Sequence, residues 1–138
     1  MPDAPKTAES ARWRAQARHD LDDAVFAAQN DRHALACFLA QQSAEKAVSA
    51  FLFAKGADAV WGHALADLCE DAIALDPSFD LIKSVAILLD KYHTTTRYPT
   101  ALPGGVPHDA FDATDAARAL EIAGDVLGFV EQRLDTPS

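Results

Sequence analysis

The stretch "KYHTTTRYPT", residues 91–100, gathers a Lys, a His, an Arg and two tyrosines around three consecutive threonines. These are the side chains that hold an anion. The Arg97 guanidinium can grip a carboxylate or a phosphate with two parallel hydrogen bonds. His93 stands four residues before it, so a helix reaching Arg97 places both on one face. Pro99 disfavours the α conformation at Tyr98, which predicts that the helix stops there. Arg97 is then expected at a helix C-terminal end, where a cation is favoured. The threonine hydroxyls can bond back to preceding carbonyls or face a ligand. Two readings follow. In one, Arg97 forms a structural ion pair with Glu45 or Asp90 and Tyr98 packs in the core. In the other, the segment lines a polar cleft.

A second polar cluster, "QQSAEK" (residues 41–46), interrupts an otherwise apolar stretch. Gln42 shares a helical face with Glu45 and with Lys46. A solvent-facing stripe with local pairing is the simplest account. Other chemistries lack their signatures: the sequence has no HExxH, no paired CxxC and no ExxH, so neither a metal nor another cofactor is expected. Gly104-Gly105 lies among prolines without the lysine of a phosphate loop. His63, after Gly62, opens a helix, where it can bond locally or reach across a bundle. No Ser-His-Asp or Cys-His grouping is legible.

The elements that must position these residues read as helices. The chain has 138 residues, enough for one modest core. It is rich in Ala and poor in Gly, which favours close helix packing. Apolar spacing predicts a first helix through residues 8–30 and a second through 32–55, the latter stopped by Gly56. Thr7, Glu9 and Ser10 are N-cap candidates for the first helix, Asn30-Asp31 for the second. A third helix is expected over 63–75, broken by Asp76-Pro77-Ser78. A fourth starts at Asp80 and carries Leu81, Val85, Leu88, Leu89 and Tyr92. After a proline-rich loop, Asp112 or Thr114 starts the last. The expectation is an all-α, five-helix up-down bundle: residues 1–6 a leader, 7–135 one domain, 136–138 a tail. Trp13 is expected in the core.

The formal net charge is −9. A uniformly acidic surface repels phosphate backbones, which argues against DNA as a partner and leaves room for a local basic site. Arg12, Arg14 and Arg18 read as a solvated face balanced by Asp20, Asp22 and Asp23. Cys37 and Cys69 fall within apolar helical patterns, as buried thiols of a reducing compartment do. The N-terminal stretch carries no apolar signal core, and no run approaches the ~18 apolar residues a membrane span needs. A soluble, cytoplasmic protein without membrane contact is expected.

Taken in order, "W…ARHDLDDA", "FLAQQSAEKAVSAFLFAKG", "HALADL" and "LLDKYHTTTRYP" resemble the HEPN family (higher eukaryotes and prokaryotes nucleotide-binding domain) over roughly residues 8–134. The resemblance implies an all-α bundle around a long central helical hairpin. It implies a homodimer, and a minimal nucleotidyltransferase as a possible partner. Some members are metal-independent ribonuclease toxins of toxin–antitoxin pairs, which carry an Arg followed after four to six residues by a His. Here His93 precedes Arg97, and the next His after Arg97 is His108, beyond the proline-rich loop. The Arg14 to His19 interval fits only in the first helix, where the family does not place it. The closer match is to members with "RYP", for which nucleotide or partner binding is implied more often than catalysis. The expected ligand site is Gln42, Glu45, Lys46, His93, Arg97 and Tyr98, without a catalytic residue. The alternative is RNA cleavage, with His93 as general acid or base and Arg97 on the phosphate.

Overall fold

The computed structural model describes residues 4–60 and 64–136. Trp61 and His63 lie outside the described residues. Helix α1 (Ala4–Gln29) is followed, after the turn at 30–32, by α2 (His33–Ala54). Asp31 makes that turn with a left-handed backbone, φ 60°. Ser10 Oγ donates to the Ala50 carbonyl and Ser43 Oγ to the Ala17 carbonyl, both at 2.7 Å. Early residues of α1 thus meet late residues of α2, and the two helices are an antiparallel hairpin. The small side chains along this seam, Ala17, Ala24, Ala40 and Ala47, are all buried.

Gly56 ends α2 as expected, with φ 101°. Ala57 N–H donates to the Leu52 carbonyl at 3.1 Å and Gly56 N–H to the Phe53 carbonyl at 3.0 Å. That pair of bonds is a Schellman closure, which needs a residue comfortable in the left-handed region. The expected N-caps are different. Helix α1 already runs from Ala4, taking in residues 4–6 of the expected leader, so Ser10 sits inside it and is spent on the hairpin seam. Arg32, without a side-chain bond, is the residue before α2.

Helix α3 (Leu65–Leu75) leads through a 3-10 turn at Pro77–Phe79 into α4 (Asp80–Ala86). The expected fourth helix is one unbroken helical run, but its middle tightens into a 3-10 segment at Ile87–Lys91 before α5 (Tyr92–Thr95). A single turn, α6 (Pro107–Ala110), sits in the proline-rich loop. Helix α7 (Ala113–Asp135) begins at a capping box. There Asp115 N–H donates to Asp112 Oδ1 at 2.9 Å, and Asp112 N–H to Asp115 Oδ2 at 3.0 Å. Among the described residues there is no strand. The all-α bundle read from the sequence is the observed fold.

Helix α2 is the axis of the core. Phe51, Val48 and Cys37 are fully enclosed, together with Leu65 and Leu68 of α3, Phe79, Leu89, and Val126 and Val130 of α7. Phe79 joins the layers, 4.4 Å from the Phe51 ring and 5.0 Å, edge-on, from Phe129. Both cysteines are buried and free. Burial pushes the Cys37 thiol up to about 12 and the Cys69 thiol up to about 11.

The arginines of α1 are not balanced by the neighbouring aspartates. Arg14 donates to both carboxylate oxygens of Asp135 at 2.7 and 2.8 Å and to Glu131 at 2.9 Å, and Arg18 also pairs with Glu131. These bonds fasten α1 antiparallel to α7. Only Arg12 stays local, on Glu9 at 3.0 Å.

Candidate functional site

The α5 segment ends where the sequence places its end. Tyr98 is extended (φ −122°, ψ 123°) ahead of Pro99. The Thr95 and Thr96 hydroxyls bond back to the Lys91 and Tyr92 carbonyls. Thr96 is buried and Thr94 exposed. Two of the three hydroxyls are therefore engaged by their own helix.

Arg97 is exposed and forms no ion pair among the described residues. The expected carboxylate partners are occupied elsewhere. Asp90 accepts from Leu65 N–H at 2.6 Å and Ala66 N–H at 3.1 Å, closing the N-terminus of α3 from another helix. Glu45 accepts from Gln41 Nε2 at 3.1 Å, and Gln42 Nε2 donates to Gln41 Oε1 at 2.7 Å. Instead, Arg97 Nε donates to the His93 carbonyl at 2.7 Å. The guanidinium lies 4.7 Å from the centre of the Phe38 ring and 4.9 Å from that of Tyr98. Two rings fix the cation without neutralising it. Tyr98, read as a core residue in the ion-pair alternative, is 50% exposed.

His93 is half-buried, with its ring centre 6.5 Å from that of Phe38. Its Nδ1 is enclosed and has no hydrogen-bond partner among the described residues. Phe38 stands one helical turn before Gln42 on α2. Phe38, His93, Arg97 and Tyr98 are thus brought together, with Gln42 and Glu45 continuing along the same side of α2. Phe38 falls on the apolar spacing by which the sequence predicts the second helix. Its i,i+4 spacing to Gln42 was the available signal that it borders this patch.

Lys46 does not join them. It pairs with Asp20 of α1, whose carboxylate also accepts from Gln16 Nε2 at 2.8 Å. Asp20, read as a solvated charge, is only 5% exposed. Lys46 borders a separate cleft of about 330 Å³ with Glu9, Arg12, Trp13 and Gln16. Trp13 is half-buried rather than internal. Its ring stacks 5.5 Å from Phe53, and its Nε1–H donates to Glu9 at 3.0 Å.

Fold and sequence together define a class, and comparison with known proteins gives the same one. The model of the HEPN domain matches residues 10–133, and the chain belongs to that family. Three solved structures share the fold closely. A protein of Thermus thermophilus is 35% identical, with TM-score 0.81, covering 90% of this chain and 97% of that one. An archaeal HEPN homologue is 32% identical, with TM-score 0.76, covering 91% and 98%. A HEPN domain protein from Thermotoga maritima is 28% identical, with TM-score 0.73, covering 91% and 99%. No curated protein matches the chain. Among the described residues, no helix is long and apolar enough to cross a membrane.

Proposed function

We propose that this HEPN chain works as a homodimer that binds a nucleotide, or a nucleotidyltransferase partner presenting one, without catalysing a reaction. The observation that carries the reading is the state of Arg97. Its charge is exposed, free of any carboxylate among the described residues, and oriented by Phe38 and Tyr98. A guanidinium so prepared loses little freedom on taking up a phosphate. His93 and the exposed Thr94 supply polar groups on the same short segment. The overall charge of −9 limits long-range attraction, and a mononucleotide suffers less from it than RNA.

Pairing of chains is supported by apolar surface on the α4 run. Leu81 and Leu88, seven residues apart, are exposed at 76% and 43%. A stable interface should bury at least ~1,000 Å² in total, and sedimentation showing only monomer at tens of micromolar would count against the dimer.

The direct test is calorimetric titration of ATP, GTP and AMP against wild type and Arg97→Ala. Wild-type binding is expected between micromolar and millimolar, roughly −4 to −8 kcal/mol, weakening with salt and reduced in the variant by the share that Arg97 holds. Equal heats from the two proteins would leave Arg97 a surface residue. RNA cutting in EDTA, abolished by His93→Ala, would establish the ribonuclease alternative instead.

A further inference from the structure

We infer that the Trp13 cleft between α1 and α2 is a nucleobase site, separate from the Arg97 patch. The inference rests on the reading that this protein binds nucleotides, and it names where the planar ring goes.

The cleft measures about 330 Å³ and is lined by Glu9, Arg12, Trp13, Gln16 and Lys46. That volume lies at the small end of ligand pockets, the size of one aromatic heterocycle with a short tail. Its wall is an indole already held in place. Phe53 stacks on Trp13 at 5.5 Å, and Glu9 accepts its Nε1–H at 3.0 Å. A ring held by a ring contact and a hydrogen bond gives up little freedom when a base stacks on it, and stacking tolerates any base because every base has a π-face. Gln16 brings a side-chain amide, which can both donate and accept on a base edge. Its Nε2 binds Asp20 Oδ1, which orients the amide in advance.

Two cations stand at the same opening, in a chain where cations are scarce. Lys46 is held by Asp20. Among the described residues Arg12 is paired only with Glu9, at 3.0 Å, through a side chain that is mostly exposed. An exposed pair of this kind contributes about 0–1 kcal/mol, so Arg12 can leave Glu9 for a phosphate at little cost. An aromatic wall, an amide and one easily released cation form a set complementary to a nucleoside monophosphate. Phe38, which carries Arg97, is eight residues before Lys46 on α2, about 12 Å along the helix. The cleft and the Arg97 patch therefore bind different parts of a ligand, or different ligands, and can be tested apart.

The experiment measures adenosine, AMP and inorganic phosphate against wild type, Trp13→Leu and Arg12→Ala, with circular dichroism melts as folding controls. Adenosine is expected to bind wild type, and to bind Trp13→Leu roughly tenfold more weakly or not at all. Arg12→Ala is expected to weaken AMP and leave adenosine unchanged. In Trp61→Phe, Trp13 is the one remaining tryptophan, and saturating adenosine is expected to change its fluorescence. Adenosine binding equally to wild type and to a folded Trp13→Leu overturns the inference and leaves the nucleotide reading standing. If Trp13→Leu does not fold, an unchanged Trp13 signal in Trp61→Phe overturns it. If neither AMP nor adenosine binds wild type, both fall together.

Discussion

The guanidinium of Arg97 lies 4.7 Å from the centre of the Phe38 ring, across the gap between the α5 segment and α2. It is a tertiary contact made by a charge that stays in solvent. Exposed contacts of this type are worth about 0.5–1 kcal/mol. A buried ion pair at this position would cost several times more to break. Arg97→Ala is therefore expected to lower stability by less than ~1 kcal/mol in urea denaturation, so that loss of binding is not loss of folding. Phe38→Leu should give a similar small change, because the aromatic face is then missing instead of the cation. A loss above ~3 kcal/mol for Arg97→Ala would place Arg97 in a buried pair.

Lys46 and Asp20 behave differently. The Asp20 side chain is 8% exposed and that of Lys46 25%. Removing the lysine leaves a buried carboxylate with only the Gln16 amide. Lys46→Ala is expected to cost about 2–3 kcal/mol, below the range for a fully enclosed pair because water reaches Lys46. Adding Asp20→Asn should recover much of that loss, since the stranded charge is gone. If the double variant is less stable than Lys46→Ala by the full cost of a second independent mutation, the two side chains are not coupled.

These two pairs show what the sequence could and could not say. The long helices were legible because their causes are local. Apolar spacing marks α1, α2 and α7, Gly56 ends α2, and Asp112, one of the two expected starts, caps α7. The end of α5 was legible from Pro99 alone. Charge pairing was not, because it depends on which helices lie side by side. Arg14 finds Asp135 across 121 residues, while Asp22 and Asp23, close by in sequence, are exposed and pair with none of the α1 arginines. Asp20 looks like them in the sequence and differs only by facing α2. The candidate site divided for the same reason. Gln42 and Lys46 are four residues apart, but Lys46 leans to α1 while Phe38 meets His93 and Arg97. The 3-10 tightening at Ile87–Lys91 has no local signal that we can identify.

Asp90 predicts a dependence of α3 on a residue 25 positions away. Its carboxylate takes the first two amide protons of α3, at 2.6 and 3.1 Å. Those donors have no partner inside the helix. Asp90→Ala is expected to cost about 1–2 kcal/mol, as removal of an N-cap does. The effect should be local as well. Hydrogen exchange at Leu65 and Ala66 is expected to speed up in the variant while Leu68 of the next turn changes less. Unchanged exchange at Leu65 and Ala66 would mean that water replaces the carboxylate without loss.

The titration of buried and bonded groups sets stability limits at both ends of the pH range. On the acid side, Asp112 is held below its ordinary value of 3.8 by the Asp115 backbone N–H, and Asp135 by its bonds to Arg14. A lowered carboxylate stabilises the fold above 3.8, and that contribution is lost as pH falls through the folded value. On the alkaline side, burial raises Cys37 from 9.0 to about 12 and Cys69 from 9.0 to about 11, and Tyr92 from 10.0 to about 12. The folded chain then keeps protons that the unfolded chain releases. The contribution of these groups to stability is complete below pH ~9 and falls as pH rises toward ~12. Urea midpoints measured from about pH 2 to 11 should therefore be flat between about 5 and 9 and decline on either side. Asp112→Asn should make the acid limb shallower, and Cys69→Ala the alkaline limb, each leaving the other unchanged, with Asp135 on one side and Cys37 and Tyr92 on the other keeping the remainder. An alkaline limb of the same slope in Cys69→Ala would show that the thiol is reached by water in the folded protein.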